Sequence, residues 1–405
     1  MNEVKQMSEP KLSLTGRIKD YVAHNMRQYT MLIALVVIII LFQVLTDGIL
    51  LKPRNTTKLI YQNSYILILA VGMLMCILTG GNIDLAVGSI VAVVSAMSGL
   101  MATVLGMPVW LSIIAGLLIG TLAGVWQGAW IAFVKIPSFI VTLAGQLIFR
   151  GINNLILNGE TIGLPAEYTT IAASPVPDFI GGPESDLNLT AIAFGILFSI
   201  VYVAIVLIGH GKKKSRGYEV PSMGITVVKI VLIVALINLF TYWLAQDDGI
   251  PIILLILIVL ISTYAFITSK TITGRHFYAL GGNAKAAELS GISTKKILFL
   301  AYTNMGLLSA IAGIVFAGRL NAASPQAGGG FELDAIGACF IGGASMSGGI
   351  GTVMGAVIGA MFMGVLNNGM SIMGVNTFLQ DIIKGLVLLL AVAFDVYSKS
   401  KSKVK

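Results

Sequence analysis

The chain has 405 residues, of which 56% are hydrophobic and 11% are charged, and its mean hydropathy is +0.91. A soluble globular protein carries about 25% charged residues, so this composition excludes a water-exposed surface over most of the chain. The formal net charge of +8 is explained by basic residues beside membrane spans and their attraction to anionic lipid. It gives no reason to expect a nucleic-acid partner. The sequence therefore predicts an integral membrane protein.

Apolar stretches of about 20 residues, the length that crosses a bilayer as a helix, recur along the chain. They predict an all-α polytopic membrane protein with about 12 (10–12) transmembrane helices. Their approximate limits are 30–48, 62–80, 86–105, 109–134, 138–157, 189–208, 224–245, 250–269, 297–317, 335–349, 351–373 and 378–396. The stretch 335–349 is short and contains several glycines. Twelve crossings would place both termini in the cytoplasm.

The charged residues between the spans fit this topology, because short cytoplasmic loops are rich in Lys and Arg. Basic clusters occupy three segments that the topology places inside: 212–216, 270–296 and 399–405. The acidic segment 158–188 falls outside. One group departs from the rule, since Lys52, Arg54 and Lys58 also fall outside.

These features divide the chain into five predicted parts. A cytoplasmic tail (1–29) precedes a first membrane half (30–208), and an insertion (209–249) supplies a basic cytoplasmic loop and an extra span. A second membrane half (250–396), which includes a cytoplasmic segment at 270–296, and a basic cytoplasmic tail (397–405) follow.

The two halves carry similar motifs in the same order. Ser-Ala-Met-Ser-Gly at 95–99 is similar to Ala-Ser-Met-Ser-Gly at 344–348, and glycines at four-residue spacing follow both. Such spacing places glycines on one helix face, where another helix can approach closely. Because the topology gives the two segments opposite directions, we expect inverted repeats, which in transporters surround the solute path. A duplication that serves packing alone is the alternative.

Few ionisable residues lie within the predicted spans, where such residues often mark functional sites. Asp84 follows a Gly-Gly pair that predicts a helix break, and its carboxylate is expected to accept N–H groups of the next helix. Contact with the solute is the alternative. Asp381 and Lys384 are expected to pair along one helix, and Arg150 to extend towards an interface.

Neutral amides within the spans suit a neutral, hydroxyl-rich solute, because amides both donate and accept hydrogen bonds. The predicted translocation-pathway residues are Asp84, Asn153, Glu332, Asn367 and Asn368. Interhelical hydrogen bonding is the alternative for each amide. No phosphate-binding loop, catalytic triad or metal-ligand spacing is recognisable, so no catalytic residue and no metal site are predicted. Uphill transport would therefore need an ion gradient or a separate ATPase.

Three motifs resemble those of the permease subunits of bacterial ribose/xylose/galactoside-type ABC importers. The segment 80–88 resembles the family signature G-G-I-D-L-S-V-G, with Asn82 inserted and Ala86 in place of serine. The segment 281–292 is similar to the family's cytoplasmic G-x-N-x-x-A-A-x-x-S-G-I loop. The segment 331–351 is similar to its E-L-D-A-I-A…I-G-G block. The resemblance covers both membrane halves, and the insertion is similar to that of the xylose and multiple-sugar branch.

The resemblance implies a permease subunit of an ATP-driven importer for a monosaccharide, xylose or several sugars, in the bacterial inner membrane. The implied partners are an ATP-binding subunit, an extracytoplasmic sugar-binding protein and a second permease copy. This chain would be no enzyme and need no cofactor, since the partner uses the ATP. The implied ATPase-docking residues are Gly282, Asn283, Ala286, Ala287, Ser290 and Gly291.

Physical reasoning alone leaves other functions open. The segment 281–292, here named the docking segment, predicts a short helix that ends at a glycine. Such a helix suits either a docking element or an ordinary cytoplasmic loop. An ion-coupled secondary carrier for a small polar solute is the main alternative function, and a structural membrane scaffold is a third.

Overall fold

A computed structural model describes residues 26–182, 185–218, 220 and 222–402. Almost all of the ordered structure is helical, with helices α1 Met26–Leu45, α2 Pro53–Leu78, α3 Val87–Gly99, α4 Val109–Ala129, α5 Ser138–Leu157, α6 Ala166–Ala173, α7 Leu189–Ser215, α8 Met223–Ala245, α9 Ile252–Lys270, α10 Ile272–Gly282, α11 Ala284–Leu289, α12 Thr294–Leu320, α13 Phe331–Ile341, α14 Val353–Ile372 and α15 Thr377–Ser402. Helices α3 and α4 each continue into a π-helical turn, Leu100–Val104 and Trp130–Val134. Two short strands, β1 Ile162–Gly163 and β2 Ala322–Ala323, pair antiparallel.

Ten of the described helices are long and apolar enough to cross a membrane, and α1 adds a shorter apolar stretch, Thr30–Leu45. The prediction of an all-α polytopic membrane protein is therefore confirmed. The span predicted at 335–349 is wrong in its extent. Helix α13 has 11 residues, about 16 Å of helix, and residues 342–352 form a loop rich in glycines. Positive φ angles at Gly343, Gly348 and Gly349 are incompatible with continuing that helix.

The loops lie at two ends of the molecule, here named the acidic end and the basic end. At the acidic end, backbone bonds join Asn188 N to Ala245 O (3.0 Å) and Val176 N to Ile250 O (2.8 Å), so α7 and α9 start where α8 ends. Acidic residues at this end include Glu160, Glu167, Asp178, Asp247 and Asp248. The basic end carries the ends of α7 and α9 and the start of α12, with Lys212, Lys213, Lys214, Lys270 and Lys295.

The packing of helices α2–α5 in the first membrane half repeats in helices α12–α15 of the second. Helix α4 packs on α12, and α14 packs on α2. Helix α3 contacts α12, α4 and α5, as α13 contacts α2, α14 and α15. Helices α2 and α12 pack on each other at the centre. This exchange of partners is the arrangement expected of inverted repeats.

The five-residue motif match does not align equivalent positions. Ser95–Gly99 forms the end of α3, whereas 344–348 lies in the loop after α13. Short runs of Gly, Ala and Ser recur by chance in a chain rich in these residues. The motif match therefore gave the wrong alignment of the repeats, although the helix packing supports the repeats themselves.

The glycines at four-residue spacing do bring helices into close contact, as predicted. A Cβ on Gly120 of α4 would lie 2.6 Å from the Cβ of Ala310 on α12. On α14, Gly355 and Gly359 face the backbone of Gly342 and Ala338 in the same way. Close backbone packing of this kind holds membrane helices together where the hydrophobic effect does not.

Helices α7 and α8 form an antiparallel pair at the periphery, and the predicted insertion (209–249) contributes the end of α7 and all of α8. Helix α7 extends to Ser215, so the predicted boundary at 208 falls inside a continuous helix. The extra span is α8. Asn238 of α8 donates to Ser199 Oγ of α7 (2.7 Å), and most apolar side chains of both helices face outward, as expected beside lipid.

Candidate functional site

The starts of α3 and α13 meet inside the helix bundle. Gly88 and Gly328 approach so closely that a Cβ on either residue would overlap the backbone of the other, and the Glu332 carboxylate lies beside Gly88. Helix starts carry positive partial charge and free N–H groups, which favour carboxylates. The two inverted helices therefore form a polar centre at the interface of the repeats.

Asp84 lies in the break before α3 and is fully buried. Its Oδ1 accepts a hydrogen bond from Ala86 N (2.9 Å), which is the interaction predicted from the sequence. The amide of Gln127 on α4 lies beside the same carboxylate. Asp84 thus stabilises the break and also adds a buried carboxyl group to the polar centre.

Glu332 lies in the first turn of α13 and faces α5. Its Oε1 accepts a hydrogen bond from Gln146 Nε2 (3.2 Å), and Arg150 interacts electrostatically with its carboxylate. Arg150 Nη1 also donates to the carbonyls of Ala327 (2.6 Å) and Pro325 (3.2 Å). Arg150 thus connects the loop before α13 to the carboxylate of Glu332, and its extension towards an interface stays a prediction.

Asn153 is buried on the same helix, one turn beyond Arg150. Its Nδ2 donates to Pro325 O (3.1 Å) and to Asn154 Oδ1 (3.3 Å), while its own Oδ1 has no hydrogen-bond partner among the described residues. The structure therefore brings Asp84, Asn153 and Glu332 into one polar centre. The predicted pathway set does not include Gln146 and Arg150. Their four-residue spacing on α5, which places both side chains on one helix face, is a sequence signal for this polar face.

The two other predicted pathway residues belong to a different region. Asn368 on α14 donates to Gln62 Oε1 (3.1 Å) on α2 and exchanges hydrogen bonds with Asn55. These hydrogen bonds join helices, which is the alternative to a solute contact that the sequence leaves open for each amide. Asn367 interacts with Asp334 of α13. Neither asparagine contacts the polar centre in these hydrogen bonds.

Asp334 forms the main ion pair of this second region. Lys384 Nζ on α15 lies 3.3 Å from Asp334 Oδ1, and the exposed fractions of the two side chains are 17% and 2%. Tyr65 OH donates to Asp334 Oδ2 (3.1 Å). The predicted pair of Lys384 with Asp381 is wrong. Asp381 is exposed, and the buried carboxylate of another helix is the better partner.

The predicted docking residues surround α11 at the basic end. Asn283 Oδ1 accepts from Ala286 N (3.0 Å) and caps the helix, Ser290 Oγ donates to Ala286 O (2.9 Å), and Gly291 follows with φ +83°. Ala287 is buried against the bundle, whereas the other five residues of the set are exposed. Leu289, absent from the predicted set, is 80% exposed.

A groove of about 340 Å³ separates this segment from the helix bundle. Its lining includes Asn82 from the break, Lys135 and Ser138 between α4 and α5, and Glu288 and Lys295 from the docking side. The short helix therefore has a groove on one side, and Leu289 at its end is exposed.

Comparison with known proteins is consistent with this architecture. Residues 55–175 and 179–392 match the family described as branched-chain amino acid transport system/permease component. The chain is 41% identical to the xylose transport system permease protein XylH of Haemophilus influenzae over 381 residues, 93% of this chain and 98% of that protein. It is 40% identical to XylH of Escherichia coli over 399 residues, 98% of both chains.

A ribose import permease protein, RbsC of Bacillus subtilis, is 34% identical over 365 residues, 90% of this chain and 91% of that protein. No solved structure matches the chain. The family model and the full-length relatives cover both membrane halves, the docking segment and the insertion. The chain therefore belongs to the family of branched-chain amino acid transport system/permease components.

Proposed function

We propose that the chain is the membrane permease subunit of an ATP-driven importer of a monosaccharide, with xylose as the first candidate. The observation that carries this proposal is the 40% identity to a xylose transport permease over 98% of both chains. Coverage of that extent includes the insertion (209–249) with α8 as well as the two membrane halves.

The polar centre suits the path of an uncharged sugar. Asp84, Glu332 and the amides near them offer both donors and acceptors, which a hydroxyl-rich solute needs. The Oδ1 of buried Asn153, which has no hydrogen-bond partner within the described part of the chain, is an acceptor in this set. Asn367 and Asn368 remain proposed as pathway residues. Their present contacts connect α14 to α13 and to α2.

The exposed α11 segment is the proposed docking surface for an ATP-binding subunit. The cap at Asn283 stabilises the helix and the buried Ala287 orients it towards the bundle, while the exposed Leu289 supplies an apolar contact. ATP would be bound by that subunit, and this chain would be neither an enzyme nor a cofactor-binding protein.

We place the basic end in the cytoplasm, because short cytoplasmic loops are rich in Lys and Arg. Both termini would then lie inside, and the acidic end would face an extracytoplasmic sugar-binding protein. The exposed Asp381 near the start of α15 is costly against lipid, so a second permease copy is proposed to cover this face.

Purification from native membranes in mild detergent tests this proposal. A permease subunit should recover about one ATPase module per copy, and hydrolysis should rise when a xylose-loaded binding protein is added. A homogeneous preparation of this chain that contains no ATPase would contradict the proposal and favour an ion-coupled carrier.

A further inference from the structure

Three glycine pairs from distant parts of the chain meet at the basic end. They are Gly80–Gly81 in the break before α3, Gly281–Gly282 at the end of α10, and Gly348–Gly349 in the loop after α13. We name this contact the glycine junction. A Cβ on Gly81 would overlap Met346 O, one on Gly348 would overlap Gly80, and one on Gly281 would overlap Leu78 O. The three segments therefore touch through their backbones.

Hydrogen bonds join the same segments. Gly349 N donates to Leu78 O (3.1 Å), which joins the second loop to the end of α2. Tyr278 OH of α10 donates to Gly351 O (2.9 Å), and Tyr302 OH of α12 donates to Ile83 O (3.2 Å). The helices on both sides of the docking segment thus each hold one of the two loops.

Each segment of the junction leads to a functional feature. The segment 79–86 carries Asp84 and starts α3. The loop 342–352 follows α13, which carries Glu332 in its first turn. Helix α10 ends at Gly282, and Asn283 then caps the docking helix. At the junction, the docking segment therefore touches the segment that starts α3 and the loop that ends α13, the two helices of the polar centre.

The glycine junction is a direct contact between backbones, whereas a groove lies beside the docking helix. Backbone atoms in contact have no rotamers with which to absorb a displacement. The groove between Asn82 and Glu288 leaves the docking helix space to move against the bundle. Movement of α11 would therefore be passed on through Asn283 to α10 and the glycine junction.

We propose that the glycine junction couples the docking helix to both helix breaks, with Gly349 and Tyr278 as positioning residues for transport. The inference rests on the proposed function, since it requires an ATPase docked on α11. It predicts that disturbing the junction separates ATP hydrolysis from sugar movement without preventing assembly.

Two variants and one control test this coupling. Gly349→Ala places a Cβ 2.6 Å from Gly282 N at φ +68°. Tyr278→Phe removes only the hydroxyl that donates to Gly351 O. The control is Gly374→Ala, which has the same φ of +68° with nothing within 4 Å, so it carries the backbone strain without the close contact.

Each variant is purified with its ATPase and reconstituted in liposomes, where xylose uptake per ATP hydrolysed is measured with the loaded binding protein. We expect Gly349→Ala to lower this ratio about tenfold, a usual size for coupling between sites, and Tyr278→Phe to lower it by a smaller factor. Recovery of ATPase and the ratio of Gly374→Ala should equal those of the unaltered chain.

A ratio unchanged in both junction variants would overturn the proposal, and so would an equal loss in the Gly374→Ala control. Loss of ATPase recovery in Tyr278→Phe would also overturn it, because the residue would then serve assembly. If the unaltered chain itself recovers no ATPase, the proposed function fails first, and the coupling proposal fails with it.

Discussion

Gly88 and Gly328, which are 240 positions apart, hold the starts of two inverted helices in direct backbone contact. The absence of side chains at both positions lets the starts of α3 and α13 share one polar centre. The carboxylates of Asp84 and Glu332 lie at this centre, where the positive ends of both helices favour negative charge.

Substitution of Gly88 by alanine should separate these helix starts. A Cβ there would overlap Gly328 O and lie 2.8 Å from Glu332 Oε2. We expect a loss of about 3 kcal/mol of stability, as for overpacking of a rigid interior, measured by thermal unfolding in detergent. Gly151→Ala on α5, with nothing within 4 Å of the new Cβ, is the control and should leave stability unchanged or slightly higher.

Removal of Lys384 should leave a buried carboxylate without its cation. Because Asp334 is 2% exposed, Lys384→Met should cost about 3 kcal/mol. The double variant Asp334→Asn, Lys384→Met should recover much of that loss, since no isolated charge then stays buried. Asp381 is the exposed residue that the sequence favours as the partner of Lys384. Its substitution Asp381→Asn should change stability by less than about 0.5 kcal/mol. Equal effects of Lys384→Met and Asp381→Asn would contradict the ion pair.

The loop before α7 should be stable only while Asp178 is ionised. Hydrogen bonds from Gly181 N, Thr190 Oγ1 and Leu189 N hold the pKa of Asp178 well below its usual range. A lowered folded-state pKa stabilises the loop above the unfolded value of about 3.9. That stabilisation is lost as the pH falls through the folded-state pKa.

Limited proteolysis of segment 158–188 measures this effect. Asp178→Asn should speed cleavage at pH 7, and the difference from the unaltered chain should shrink as the medium becomes strongly acidic. Asp186→Asn, an exposed position in the same loop, should leave the cleavage rate unchanged. Equal cleavage of both variants at pH 7 would show that Asp178 does not hold the loop.

The exposed tip of the docking helix should contribute to assembly and not to folding. Leu289 is 80% exposed, so Leu289→Ser removes little buried area from this chain but loses an apolar contact with a docked subunit. We expect lower ATPase recovery at an unchanged unfolding temperature. Lys285→Ala, which breaks only an exposed 3.9 Å pair with Glu288, should recover as much ATPase as the unaltered chain.

Gly291→Leu should weaken docking in a different way. The residue follows α11 at φ +83°, a conformation that costs a leucine about 1–2 kcal/mol, so the substitution changes the path of the chain as it leaves the helix. Membrane insertion should be intact, because no span includes this residue. Unchanged ATPase co-purification would contradict the prediction.

Much of the fold was predictable from the sequence, because it depends on local patterns. Apolar length identified most spans, and the Gly-Gly pair before Asp84 predicted a break together with its hydrogen bond. The four-residue spacing of Gly120 with its neighbours predicted a close helix contact. These signals need no knowledge of which helices are neighbours.

The remaining features depend on contacts between distant segments. Lys384 was assigned to Asp381 because the two share a helix, whereas its partner Asp334 lies 50 positions away. Arg150 donates to the carbonyl of Ala327, a contact between segments 177 positions apart that no local pattern predicts. The span at 335–349 was overextended because hydropathy does not register the positive φ angles of its glycines.

The most direct test of the proposed function is xylose uptake into liposomes that contain this chain with its co-purified ATPase. We predict uptake when ATP is enclosed and the sugar-loaded binding protein is present outside, and none under a proton or sodium gradient without ATP. Gradient-driven uptake in the absence of ATP would contradict the ATP-driven importer and identify a secondary carrier instead.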